Sequence, residues 1–175
     1  MPACVLEKSN SMRLRKVCLP FDFENPVMDP SLLEQNLKDS MVFHKGIGIS
    51  ACQLGLLARA FAVGDPSSPD DIVVMFNPNI VDVSDEIILI EEGCLSFPGL
   101  FIKVKRPVSL RIRYANVDGD IITQSYDQIP ARTILHEYDH LDGITFQSRA
   151  NAIHLDQAKR QKKKLDKKRK RNLGL

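Results

Sequence analysis

The 175-residue chain lacks the features that mark membrane-spanning, secreted and disulfide-stabilised proteins. No apolar run approaches the roughly 20 residues that a membrane helix needs, and the N-terminus has no apolar core typical of a secretory signal. The four cysteines, Cys4, Cys18, Cys52 and Cys94, are scattered and form no C-x-x-C pair, so we expect free thiols or one thiolate ligand. These absences indicate a cytoplasmic protein without membrane contact, or an organellar one whose transit peptide has been removed.

Charge is unevenly distributed, although the net charge of the whole chain is only +2. Residues 154–175 contain ten Lys or Arg and two Asp, which gives this segment about +8. Of the 24 basic and 22 acidic residues of the chain, 14 and 20 remain elsewhere, so the body carries about −6. We therefore expect a folded domain over residues 1–150 and a basic C-terminal helix or tail over residues 151–175.

Local patterns predict one helix followed by a series of strands. Asp29 and Pro30 form a helix start, and apolar residues at helical spacing continue the helix until Gly46. Short β-rich runs separated by Gly, Pro and Asp follow from residue 59 to residue 126. Asp118-Gly119 is typical of a hairpin turn between the last two strands.

Two further helices are expected after the strands. Pro130 can open the second helix and Gly143 can close it, and a basic third helix is expected from about residue 151 to residue 171. The order of elements predicts an α+β fold in which antiparallel sheets pack around the second helix.

The strongest local motif is the H-E-Y-D-H run from His136 to His140, inside the predicted second helix. Positions four apart lie on one face of a helix, so both imidazoles can reach one metal ion. Glu137, one position further round, can reach a water bound to that metal. A catalytic metal of this kind takes a third protein ligand and leaves a position for water.

The patterns of the common zinc peptidases do not supply the third ligand. No Glu follows Glu137, and Phe146 occupies the position of the third histidine in the extended H-E-x-x-H-x-x-G-x-x-H form. An endopeptidase is therefore the less favoured enzyme class. The remaining downstream or isolated candidates for the ligand are Asp156, His44 and His154.

An upstream segment offers a better third ligand. Cys94 follows the apolar strand-like run 87–90 and precedes the Pro98-Gly99 turn, where its side chain can face a cleft. A lone cysteine is more often a small core residue. Because the H-E-x-x-H helix has no better partner, Cys94 is the favoured third ligand.

A glycine-rich segment, residues 46–53, offers groups that can bind a substrate. Gly46 and Gly48 allow backbone to approach a ligand closely, and the Gln53 side-chain amide can donate to an oxyanion.

Together the three segments resemble peptide deformylases, which remove the formyl group from the N-terminal methionine of new proteins. That family carries G-x-G-[LI]-[AS]-A-x-Q, E-G-C-L-S and H-E-x-D-H motifs in this order, and all three occur here, at residues 46–53, 92–96 and 136–140. The resemblance extends more loosely from residue 14 to residue 146 and implies a catalytic domain over residues 1–150. Leu135 departs from the family pattern, which commonly has glutamine there.

The resemblance also implies residue roles, carried over by position in the motifs. The metal ligands would be Cys94, His136 and His140, with Glu137 as the acid and base of catalysis. Gln53 and the Leu95 backbone N–H would stabilise the oxyanion. Arg106 would pair with Glu92 and brace the cysteine loop, and the residues expected to contact the substrate are Gly46, Ile47, Gly48, Ile90 and Ile129.

The family relationship implies one divalent metal per chain, with Fe2+ as the physiological ion and Zn2+, Ni2+ or Co2+ as accepted substitutes. The implied substrates are N-formylmethionyl peptides of nascent chains. The basic tail adds a possible contact with the ribosome or its RNA, although a solvated helix explains the same composition. A non-catalytic RNA-binding or ribosome-binding module is the alternative function from another class.

Overall fold

A computed structural model of the protein describes residues 5–172, and at residue 172 it describes only the backbone. Five strands form an antiparallel sheet in the order β1-β2-β3-β6-β7, and two more form the separate antiparallel hairpin β4-β5. The strands are β1 (Gly48–Ser50), β2 (Ala60–Val63), β3 (Val73–Val83), β4 (Ile87–Glu92), β5 (Ile102–Pro107), β6 (Ser109–Ala115) and β7 (Ile121–Asp127). The helices are α1 (Pro30–Phe43), α2 (Gln128–Leu141), α3 (Phe146–Arg149) and α4 (Ala152–Asn172).

The predicted α+β class with a C-terminal helix is confirmed. Helix α2 contacts β1, β2, β6 and β7 of the large sheet and also β5 of the hairpin, so it lies between the two sheets. None of the helices in residues 5–172 combines the length and apolarity needed to cross a membrane. The described cysteines, Cys18, Cys52 and Cys94, are free thiols, whereas Cys4 lies outside the described residues.

Helix α1 begins as predicted and ends three residues before Gly46. The Asp29 carboxylate accepts a hydrogen bond from the Leu32 backbone N–H at 3.0 Å, and Pro30 occupies the first turn. The helix ends at Phe43 because Lys45 adopts a left-handed conformation, with φ of 55°. The chain then turns into β1, a short strand that the glycine-rich pattern did not predict.

Strand β2 is buried on both faces, which explains why its sequence is apolar throughout. Phe61 and Val63 point into the core cluster shared with α2. Ala60 and Ala62 point into a second cluster built on α1. The two-residue period of the strand thus places one helix on each side of the sheet.

Helix α2 begins two residues before Pro130, at Gln128. Pro130 lies within the first turn, where backbone N–H groups have no partner inside the helix. The helix ends at Leu141, and Gly143 follows with φ of 70°. Glycine is required there, because an added Cβ would lie 2.7 Å from the Arg15 carbonyl oxygen.

The C-terminal part comprises the short α3, which the sequence did not predict, and the predicted basic helix α4. The Asn151 side chain caps α4 by accepting from the backbone N–H groups of Ile153 and His154, at 2.8 and 3.1 Å. Ala158 is buried against the body, and the Lys162 ammonium donates to the Pro98 carbonyl oxygen at 2.9 Å. The first half of α4 is therefore attached to the domain.

Candidate metal centre

The two sheets and α2 bring one thiol and two imidazoles together. Cys94, His136 and His140 each present a ligand atom, and these three atoms lie within 4.8 Å of one another. The Cys94 Sγ lies 3.3 Å from His140 Nε2. Within residues 5–172 no other group of three potential ligands lies as close together, so Asp156, His44 and His154 belong to no such cluster.

The orientation of His136 is fixed by a buried carboxylate. Its Nδ1 lies 3.0 Å from Glu92 Oε2, which leaves Nε2 free to face the cluster. Glu92 also accepts two hydrogen bonds from the Arg106 guanidinium, at 2.9 and 3.0 Å. Arg132 donates to Glu92 Oε1 at 2.6 Å. Glu92 thus joins β4, β5 and α2 at the metal-ligand cluster.

The two histidines of the cluster have pKa values shifted in opposite directions. Burial lowers the pKa of His136, but hydrogen bonds to Cys94 and Glu92 outweigh burial and raise that pKa to about 10. Burial and the charges of His136 and Arg106 hold the pKa of His140 well below its usual value. One cysteine sulfur and two imidazole nitrogens within 4.8 Å of one another form a donor set suited to a divalent transition metal. The residues present therefore fit a metal ion.

Glu137 lies next to the cluster and is not one of its three members. Ser50 Oγ lies 2.6 Å from Glu137 Oε2, so the hydroxyl can donate to the carboxylate. Gly48 makes room for this carboxylate, because an added Cβ would lie 2.8 Å from Glu137 Oε1. Burial raises the pKa of Glu137, although the charge of His136 and the Ser50 hydrogen bond oppose that rise. A raised pKa makes this carboxylate a better proton acceptor than an ordinary one.

Gln53 is held with its amide directed at the cluster. Its Oε1 accepts from the Ser50 backbone N–H at 2.8 Å, and this contact sets which end of the amide points inward. Its Nε2 lies 3.5 Å from Cys94 Sγ and 3.3 Å from Ser96 Oγ. The amide N–H groups therefore face the cysteine of the cluster.

Leu95 brings the cysteine loop against the glycine-rich segment. An added Cβ at Gly46 would lie 2.7 Å from Leu95 Cδ1, so the Leu95 side chain covers that glycine directly. The loop then turns, with the Phe97 N–H donating to the Cys94 carbonyl at 2.9 Å. Within the described chain the Leu95 N–H makes no backbone hydrogen bond, and it lies beside Cys94.

A cavity of about 470 Å³ opens beside the cluster. Its lining includes Cys94, Leu95, His136 and Glu137, together with Gly46, Ile47, Gly48 and Ile129 of the predicted substrate-contacting set. Ile90, the remaining member of that set, is not part of this lining; it pairs with Val104 within the hairpin. Arg132 and Thr133 line the cavity instead.

Sequence reasoning missed several charged residues behind the cluster. Arg132 is buried, and Asp139 bridges Arg106 at 2.7 Å and Arg149 at 2.6 Å. The sequence did contain a signal for Arg132, because this residue lies four positions before His136 and therefore on the same face of the helix. Leu135, at the family's usual glutamine position, is buried, and its carbonyl oxygen accepts from Arg106 at 3.3 Å.

Comparison with known proteins identifies the family. The sequence profile of the family described as polypeptide deformylase matches residues 4–156.

The chain belongs to the polypeptide deformylase family.

Curated relatives include the chloroplastic/mitochondrial peptide deformylase 1B of Arabidopsis thaliana, 38% identical over 148 residues. That alignment covers 81% of this chain and 54% of the relative. A peptide deformylase of Thermotoga neapolitana is 36% identical over 110 residues, or 63% of this chain and 65% of the relative. The chain thus spans about half to two-thirds of the length of these two curated deformylases.

Solved deformylase structures share the fold. The crystal structure of a plant peptide deformylase is 31% identical with a TM-score of 0.85, and the match covers 100% of this chain and 95% of that one. A class I type b peptide deformylase from Acinetobacter baumannii, solved with Met-Ala-Ser bound, is 30% identical with a TM-score of 0.77. The match to it covers 84% of this chain and 98% of that chain.

The cluster geometry makes a prediction about metal content. Cys94→Ala removes one of three ligands, so the purified variant should lose its stoichiometric metal, measured by elemental analysis after anaerobic purification. Cys18→Ala is the matched control, since Cys18 is a buried free thiol outside the cluster and its loss should leave the metal content unchanged. Full metal retention in Cys94→Ala would falsify the ligand assignment.

Proposed function

We propose that the chain is a metal-dependent hydrolase that removes the formyl group from N-terminal formylmethionine and releases formate. The observation that carries the proposal is the placement of Glu137 beside the Cys94, His136 and His140 cluster, on the wall of one cavity. Family membership supports the same reaction. Residues 1–150 would form the catalytic domain and residues 151–175 a basic appendage.

Cys94, His136 and His140 would hold one divalent metal. When bound, that ion would supply Lewis acidity and make a neighbouring water a better nucleophile near neutral pH. Thiolate and imidazole donors suit Fe2+, Zn2+, Ni2+ and Co2+, and the family relationship favours Fe2+. Glu92, 3.0 Å from His136 Nδ1, would keep His136 in the tautomer whose Nε2 is available to the ion.

Glu137 carries the protons in this mechanism. Its carboxylate takes a proton from the attacking water as the water oxygen adds to the formyl carbon. The raised pKa of the buried carboxyl helps it hold that proton until the C–N bond breaks. It then delivers the proton to the leaving amine, and formate is released.

Gln53 Nε2 and the Leu95 backbone N–H would stabilise the negative charge that develops on the formyl oxygen. Gln53 needs no reorientation for this role, since its other end is anchored on Ser50. The apolar part of the cavity, at Ile47 and Ile129, would take the methionine side chain. The Met-Ala-Ser bound to the Acinetobacter baumannii deformylase supports a substrate of this kind.

The reaction is tested by comparing three substrates. Metal-replete protein should release formate from formyl-Met-Ala-Ser, act far more slowly on acetyl-Met-Ala-Ser, and leave an internal peptide bond of a longer peptide intact. The extra methyl group must fit against packed walls, which costs binding in the transition state. Formate and new amino termini are both quantified. Cleavage of internal bonds with the formyl group left in place would reject the proposed function.

A second prediction concerns Glu137. Glu137→Gln should lower turnover of formyl-Met-Ala-Ser by roughly 10² to 10⁴ while metal content stays near that of the wild type, because the variant lacks the proton acceptor but keeps the ligands. Glu86→Gln, at an exposed carboxylate before β4, is the control and should turn over as the wild type does. Wild-type formate release by Glu137→Gln would show that another group moves the protons.

The outer end of α4 supports a proposed contact with the ribosome or its RNA. Five basic residues in succession, from Lys167 to Arg171, are exposed. No hydrogen bond or ion pair joins their side chains to the rest of the described chain. A dense positive charge without internal partners is suited to phosphate groups.

This contact makes a prediction about salt dependence. Changing all five residues to Gln should weaken binding to ribosomes at least about tenfold at low salt and flatten its salt dependence, measured by co-sedimentation at several salt concentrations. A control with the same charge change replaces exposed basic residues of the body, namely Lys8, Lys16, Lys105, Arg111 and Arg113. Equal loss in both variants would mean that only the total charge matters.

A further inference from the structure

A second hollow, of about 420 Å³, lies between the β4–β5 hairpin and α4. On the hairpin side it is lined by Glu91, Phe101 and Lys103. Glu91 and Lys103 are direct cross-strand partners, and both side chains are exposed on the same face. The hairpin therefore presents one acidic, one basic and one aromatic group to the hollow, which we call the tail groove.

Helix α4 forms the opposite wall of the tail groove. Its lining residues His154, Gln157, Gln161 and Lys164 follow helical spacing and so share one face. This wall is held in place, because Ala158 between them is buried and Lys162 donates to the Pro98 carbonyl oxygen. The groove is thus a built feature of the fold, formed only once α4 has packed on the domain.

The tail groove adjoins the active-site cavity. Glu91 and Phe101 line both spaces. The Phe101 ring also lies directly over Gly93, where an added Cβ would come within 2.7 Å of it, one residue before Cys94. A peptide whose first residue occupies the cavity advances about 3.3–3.6 Å per residue when extended, so its later residues can pass Phe101 and enter the groove.

Charge indicates which peptides the groove would hold best. Its lining contains Lys103, Arg160 and Lys164 against the single acidic residue Glu91. Arg160 is already paired with Asp156 at 2.9 Å. Within residues 5–172, Lys103 and Lys164 have no ion-pair partner, so two ammonium groups are available to a ligand. Carboxylate side chains are the complementary groups.

We infer that the tail groove binds the segment of the formylated chain that follows its first three residues, and that Lys103 and Lys164 favour segments carrying Asp or Glu. The inference rests on the proposed deformylase function. It makes α4 a part of the substrate-binding surface, and so gives the inner face of the helix a role distinct from that of its outer basic end.

Three hexapeptides test this inference: formyl-Met-Ala-Ser followed by three Glu, three Gln or three Lys. For the wild type, kcat/KM should be about threefold to tenfold higher for the Glu peptide than for the Gln peptide, and lowest for the Lys peptide. The difference should lie in KM, because the contact is made equally in the ground state and the transition state. It should shrink in 0.5 M salt.

The double variant Lys103→Gln/Lys164→Gln should lower the Glu-to-Gln preference to about one. Lys105→Gln/Lys163→Gln is the matched control, since it removes the same charge from the same two elements at positions outside the groove lining, and it should retain the wild-type preference. The inference is wrong if kcat/KM is equal for the three peptides. It is also wrong if the control variant loses the preference for the Glu peptide while the groove variant keeps it.

The tripeptide formyl-Met-Ala-Ser separates the two proposals, because it lacks the residues that the groove is inferred to bind. If the wild type turns over the tripeptide but shows no preference among the hexapeptides, the groove inference is wrong and the proposed deformylase function is retained. No formate from the tripeptide rejects the proposed function, and the groove inference with it.

Discussion

The site depends on the buried carboxylate of Glu92. Burial by itself would raise the pKa of this group, but hydrogen bonds from His136 and Arg106 lower it to about 2, so the carboxylate stays charged. An unpaired buried charge costs about 3–5 kcal/mol, which is why Glu92 needs Arg106, Arg132 and His136 together. Pairing Glu92 with all three requires the ends of β4 and β5 and one face of α2 to meet at one point.

The position of the metal-ligand cluster follows from this meeting point. Cys94 is two residues beyond Glu92, and His140 is one helical turn beyond His136, so fixing Glu92 on His136 brings the thiol to the second imidazole. Asp139 continues the network by joining Arg106 to Arg149 in α3. The charged groups behind the cluster therefore hold the elements that carry the ligands.

Close packing joins the glycine-rich segment to the same point. Gly46 lies against the Leu95 side chain and Gly48 against the Glu137 carboxylate, at distances that leave no space for a Cβ. The same segment supplies Ser50, whose hydroxyl lies 2.6 Å from the Glu137 carboxylate, and Gln53, whose Nε2 lies 3.5 Å from Cys94 Sγ. The two glycines thus have a structural role in addition to the substrate approach predicted for them.

The sequence alone determined the elements and the chemistry that depend on local spacing. Asp29-Pro30 indicated the start of α1, and Asp118-Gly119 indicated the turn of the β6–β7 hairpin. The H-E-Y-D-H run indicated two imidazoles on one helix face. These predictions were possible because each signal acts within a few residues. Helix α1 ends three residues before the predicted position, and α2 begins two residues before its predicted start. Lys45 and Gln128, at these two boundaries, adopt left-handed conformations that their residue types do not indicate.

Only the tertiary structure decided contacts between residues distant in the chain. The packing of the chain places Cys94, which follows β4, beside His140 of the central helix. It also places a second arginine, Arg132, against Glu92, a contact that the spacing of residues on α2 allows but does not require. The packing of α4 on the domain also makes this basic helix one wall of the tail groove. Such contacts depend on which faces pack together, and that choice is made by the whole core and not by any one segment.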